Sequence, residues 1–147
     1  MIPGEGAGIS SIASAIQLSI APVFLLTGVG AILGVLTNRL ARIVDRSRVL
    51  EDRVHASPEE MAHLRTDLRM LSERARLVNR AIGMCTFGAL LVCLVIVALF
   101  VSAFADVHLG TVIALAFTGA MLALIGALVN FLRETYLATR SLRTGPP

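Results

Sequence analysis

The chain has 147 residues, a 56% hydrophobic fraction and a mean hydropathy of +0.80, too apolar for a soluble globule of this size. The formal net charge of +3 conceals a segregation: Asn38 to Arg80 holds ten arginines and seven carboxylates, and the chain after Phe131 holds the remaining three arginines and one Glu. Three separate apolar runs each reach the roughly 20 residues that cross a hydrocarbon core, which excludes a soluble enzyme with one greasy helix and implies an all-α, polytopic membrane protein.

Residues 1–14 contain Gly and Ser but no basic stretch, so a flexible N-terminus is expected here rather than a secretory signal peptide. The first transmembrane helix is expected over 15–36, where Ile16 to Leu36 carries no ionisable side chain. Pro22 either kinks this helix or marks its first turn, with Ile16 to Ala21 as a separate interfacial piece. Charge then begins abruptly at Asn38-Arg39-Leu40-Ala41-Arg42-Ile43-Val44-Asp45-Arg46. That switch is a membrane boundary.

From Leu36 the apolar positions fall at Leu36, Leu40, Ile43, Leu50 and Val54, with Ser47 between, alternating by four and three as a heptad seam does. A break at His55 to Glu60 follows, and Ser57, Pro58 and Glu60 form the pattern of a capping box that starts a second helix. The seam resumes through Met61, Leu64, Leu68, Leu71, Ala75, Val78 and Ile82. Residues 37–80 are therefore expected to form an antiparallel helical hairpin, its seams buried against each other or against neighbouring subunits. Arg48 with Asp52 and Arg69 with Glu73 are candidate surface pairs at helical spacing, each worth about 0.2–0.5 kcal/mol.

The second transmembrane helix is expected over 81–105, a short link over 106–110, the third over 111–132, and a tail over 133–147. By the positive-inside rule the arginine-rich hairpin and the tail are cytoplasmic and the N-terminus lies outside. Cys85 and Cys93 stand about 12 Å apart along one helix at 1.5 Å per residue and so cannot bridge each other.

No catalytic motif is present: there is no HExxH, no Gly-rich phosphate loop ending in Lys-Ser or Lys-Thr, no CxxC and no G-x-S-x-G. No enzyme, cofactor or nucleic-acid partner is expected. His55 and His63 with Glu59 or Glu60 straddle a turn without dense ligand spacing, so no metal site is expected either, and His108 lies apart in the outer link. None of the three apolar runs contains an acidic, basic or His residue, which argues against a proton-coupled carrier.

Two stretches are candidate binding surfaces. Ser19, Thr27, Gly30, Gly34 and Thr37 form a small-residue stripe on the first helix, which either packs against other helices or lines a pore in an assembly. Gly119, Ala123, Gly126, Ala127 and Asn130 form a similar face on the third, where packing is favoured and Asn130 would seek a hydrogen bond across helices. Arg39, Arg42, Arg46, Arg76, Arg80 and Arg133 lie nearest the membrane, as topogenic anchors or as contacts for anionic lipid or another anion. Asp45, three residues from both Arg42 and Arg48, is expected to pair with arginine.

The run Ile20-Ala21-Pro22-Val23-Phe24-Leu25-Leu26-Thr27-Gly28-Val29-Gly30, followed by Leu36-Thr37-Asn38-Arg39-Leu40-Ala41-Arg42-Ile43-Val44-Asp45-Arg46, resembles a family of bacterial membrane proteins known as domain of unknown function 2721. The resemblance covers roughly Ile16 to Leu137 and is most specific over Thr37 to Arg46. It implies a three-helix protein of the bacterial inner membrane and carries no activity.

Two functional classes follow. The first is a homo-oligomeric ion channel or pore lined by the first helix. The alternative is a non-conducting scaffold or regulatory subunit that binds a cytoplasmic partner through the hairpin, with Leu64 and Leu71 as the positions whose change to Asp would break capture.

Overall fold

The computed structural model describes the backbone of residues 5–56, 61–105 and 108–142, and side chains over 9–53, 64–105 and 108–139. It is all-helical among the described residues: α1 spans Glu5–Ala56, α2 Met61–Ala105 and α3 Gly110–Leu142. All three are long and apolar enough to cross a membrane. Of their most apolar windows only 17%, 17% and 11% is buried within the protein, leaving side chains such as Phe24, Leu115 and Leu132 on the outside, as lipid-facing helices require.

The 52 residues of α1 rise about 78 Å at 1.5 Å each, far beyond a hydrocarbon core of about 30 Å. The apolar run and the arginine-rich segment are thus one unbroken helix. Pro22 sits inside it, so Ile16 to Ala21 is no separate piece. The helix also reaches back to Glu5, where a flexible lead-in was expected from composition. The capping box at Ser57, Pro58 and Glu60 lies outside the described residues, as do the side chains of Val54 and Met61. At the start of α3, the N–H of Ile113 donates to the carbonyl of Leu109 at 3.0 Å.

Two compact units make up the chain: Met1–Ile32 with Cys85–Leu124, and Leu33–Met84 with Ile125–Pro147. In the first, α1 buries Ala15, Ser19, Pro22 and Val29, α2 buries Cys85, Gly88, Val92 and Val95, and α3 buries Ala120, Ala123 and Leu124. Small residues set the approach here. A Cβ on Gly88 would stand 3.3 Å from the Ala120 carbonyl oxygen and from Leu124, so any larger residue there would have to push these two helices slightly apart.

In the second unit the buried positions are Leu36 and Ile43 of α1, Leu64, Leu71, Val78 and Ala81 of α2, and Ala127 and Glu134 of α3. Apart from Ala81, three residues after Val78, the spacing is seven residues within each helix, the spacing of a heptad core. The seams expected on both arms of the hairpin are therefore used, and used inside one chain. A third partner joins them, because α3 continues as helix to Leu142 where a tail was expected from residue 133. Gly126 lies against the thioether of Met84, and Asn130 Nδ2 donates to the Gly126 carbonyl at 2.7 Å while lying 3.5 Å from Met84 Sδ. The expected cross-helix contact of Asn130 is thus made to sulfur.

Candidate functional site

The second unit contains the one carboxylate that is fully buried among the described residues. Ala120 and Ala127 occupy the core row of α3, and the next position seven residues on is Glu134, at 0% exposure. A carboxylate in that place needs cations brought to it, since an unpaired buried charge costs several kcal/mol. Two arginines supply them, one from each of the other helices.

Arg74 of α2 donates to Glu134 Oε1 from both Nε and Nη2, at 3.1 and 2.9 Å. Arg39 of α1 places its Nε 3.0 Å from Oε2. That contact is an ion pair without an aligned N–H, so Oε2 is buried with no hydrogen-bond donor. Arg39 is held from two further directions: its Nη1 donates to Thr135 Oγ1 at 3.3 Å, and its guanidinium carbon lies 5.3 Å from the centroid of the Phe131 ring. Planar guanidinium groups suit such multiply bonded positions where an ammonium would not.

Beside this triad lies a cleft of about 490 Å³ lined by Val35, Asn38, Arg39, Arg42, Ile43, Arg46, Leu71 and Arg74. Four arginines face it and no carboxylate lines it. Arg46 and Arg74 also border a neighbouring cleft with Asp67 and Glu73, while Arg39 and Arg74 are both ion-paired to Glu134. Asp45 pairs with neither Arg42 nor Arg48, and the pairs Arg48 with Asp52 and Arg69 with Glu73 are open. All of these side chains are exposed, so water competes for each charge.

The arginine group read from the sequence divides here. Arg39, Arg42 and Arg46 come together, joined by Arg74, whereas Arg76, Arg80 and Arg133 are exposed elsewhere and do not line the cleft. Arg74 and Glu134 were not among the candidate residues. The signal for Glu134 was the spacing: it falls seven residues after Ala127 and fourteen after Ala120.

The small-residue stripe of α1 also divides. Ser19 is buried and donates to the Ile16 carbonyl at 2.8 Å, while Thr27, Gly30, Gly34 and Thr37 are exposed. Thr37 Oγ1 lies 2.9 Å from the Leu33 carbonyl and 3.0 Å from that of Gly34, and Thr27 Oγ1 lies 3.5 Å from that of Val23. Nothing stands within 4 Å of a Cβ built on Gly30 or Gly34. On α3, Gly119, Ala123, Gly126 and Ala127 are at least partly covered, Gly119 against Leu91, in keeping with packing. Cys85 is buried and Cys93 exposed, both as free thiols. His108 is exposed, the side chains of His55 and His63 lie outside the described residues, and no metal-binding group of His, Cys, Asp or Glu occurs among the described residues.

The family described as Protein of unknown function (DUF2721) matches residues 19–144. The chain belongs to that family. The DUF2721 match takes in α1 from Ser19, all of α2 and α3, and the whole Arg39, Glu134 and Arg74 triad. No curated protein and no solved structure matches the chain.

Proposed function

We propose that this DUF2721 protein is a homo-oligomeric, non-conducting scaffold or regulatory subunit of the bacterial inner membrane, working through the arginine-rich end of its helices. The positive-inside rule puts that end in the cytoplasm and the N-terminus outside. The observation that carries the reading is Glu134, wholly buried and ion-paired to Arg39 and Arg74 on the two other helices. It ties three helices together beside the apolar runs, a form suited to presenting a constant surface to a partner.

A pore lined by the exposed part of the α1 stripe is the second reading. It draws on Thr27, Gly30, Gly34 and Thr37, which offer small side chains on an open face. Against it, the Thr27 and Thr37 hydroxyls are turned to carbonyls of their own helix, the arrangement suited to an apolar or closely packed surrounding.

Ion flux decides between them. Full-length protein in proteoliposomes is expected to show potassium and chloride leak no greater than protein-free vesicles. Leak that disappears on Gly30→Leu would overturn the scaffold reading in favour of the pore.

A further inference from the structure

We infer that the cleft lined by Asn38, Arg39, Arg42, Arg46 and Arg74 is a binding site for a phosphate-bearing anion. This deepens the scaffold reading by naming what its arginine-rich end recognises, and it stands or falls separately from conductance.

Charge comes first. Four arginines line the cleft and one carboxylate, Glu134, is paired with two of them, leaving a formal charge of +3. Arg42 and Arg46 have no partner among the described residues. An anion is the chemistry such a concave cationic surface lacks.

Preorganisation comes second. Glu134 accepts from Nε and Nη2 of Arg74 and holds Arg39 in an ion pair, and Thr135 accepts from Nη1 of Arg39. Arg39 Nη2 and Arg74 Nη1 then remain without a partner among the described residues. Each guanidinium is fixed on one edge and keeps donors on another, so little side-chain entropy remains to be lost on binding. A tetrahedral phosphate with several acceptor oxygens can take donors from more than one such fork at once.

Shape comes third. The lining is mixed, with exposed Val35 at the end of the apolar run, Arg39, Arg42 and Arg46 on the following turns of the same helix, and buried Ile43 and Leu71 among the arginines. Such a lining admits either a phospholipid, phosphate on the arginines and acyl chain past Val35, or a soluble phosphate on the arginines alone.

The test uses the full chain in mild detergent with two probes: phosphatidylglycerol against phosphatidylcholine by native mass spectrometry, and inorganic pyrophosphate by calorimetry. Arg42→Gln with Arg46→Gln removes two exposed cleft arginines and leaves the Glu134 pairs intact; Arg76→Gln with Arg80→Gln removes the same charge outside the cleft. At about 1 kcal/mol for each arginine, the cleft variant should bind about thirtyfold more weakly. The control should stay within about twofold of the unaltered chain. Selective loss for phosphatidylglycerol alone makes the ligand a lipid headgroup, and selective loss for pyrophosphate makes it a soluble phosphate. Binding of neither probe, or equal loss in both variants with helical content unchanged, overturns the site.

Discussion

Arg74 and Glu134, sixty residues apart in sequence, meet through two nitrogens on one oxygen, Nε and Nη2 of the guanidinium at 3.1 and 2.9 Å from Oε1. The carboxylate has no exposure and the arginine side chain keeps 23%. Glu134→Gln preserves shape but leaves Arg39 and Arg74 side by side without their counter-charge. Removing one member of a buried pair costs about 3–5 kcal/mol, and the residual exposure of the arginines puts this case near the lower end. The midpoint of unfolding by circular dichroism should fall accordingly; an unchanged midpoint would remove Glu134 as a structural tie.

Lysine in place of each arginine should separate geometry from charge. Arg74→Lys loses the two-nitrogen contact, and Arg39→Lys loses both the Thr135 bond and the stacking over Phe131. Each should cost roughly 1–2 kcal/mol although the charge is retained. Stability equal to that of the unaltered chain in both variants would show that only a point charge is needed.

Two glycines with opposite surroundings give a paired prediction. Gly88→Val drives side-chain atoms into the Ala120 backbone and Leu124, and should destabilise the chain by roughly 1–3 kcal/mol. Gly30→Leu meets nothing in the chain and should leave its stability unchanged, while weakening association between copies. Thermal unfolding checks the first effect. Native mass spectrometry from lipid nanodiscs checks the second, and unaltered assembly would exclude this face of α1 from the interface.

Leu64 and Leu71 are buried within the chain, at 9% and 6% exposure. Leu64→Asp should therefore unfold the arginine-rich end, by several kcal/mol for an unpaired charge placed in the core, and loss of a partner in that variant would report misfolding. Exposed Arg42 and Arg46 are the positions that probe recognition without disturbing the core. Limited proteolysis of Leu64→Asp checks this, since resistance equal to that of the unaltered chain would contradict the burial.

The helical seams were legible where apolar and polar residues alternate. Leu36, Ile43, Leu64, Leu71 and Val78 stand out among charged neighbours, and each is buried. The same seven-residue row continues back along α1 through Val29, Pro22 and Ala15, where it could not be read, because in an apolar run every position satisfies the pattern. Glu134 was hidden by the opposite effect. It follows Arg133 just beyond the third apolar run, where a charge ordinarily belongs to a solvated tail, and only the register from Ala120 and Ala127 places it in the core. Arg39, Arg42 and Arg46 could be grouped by proximity along one helix. Arg74 could not, because its place beside them depends on how α1 and α2 pair.

The measurement that bears most directly on the triad is a double-mutant cycle on Arg74→Ala and Glu134→Gln, read as unfolding free energies of the full chain in detergent. If the two side chains hold the helices together, the double variant should be less destabilised than the sum of the single variants, with a coupling of at least about 1 kcal/mol. Effects that add within about 0.3–0.5 kcal/mol would contradict it.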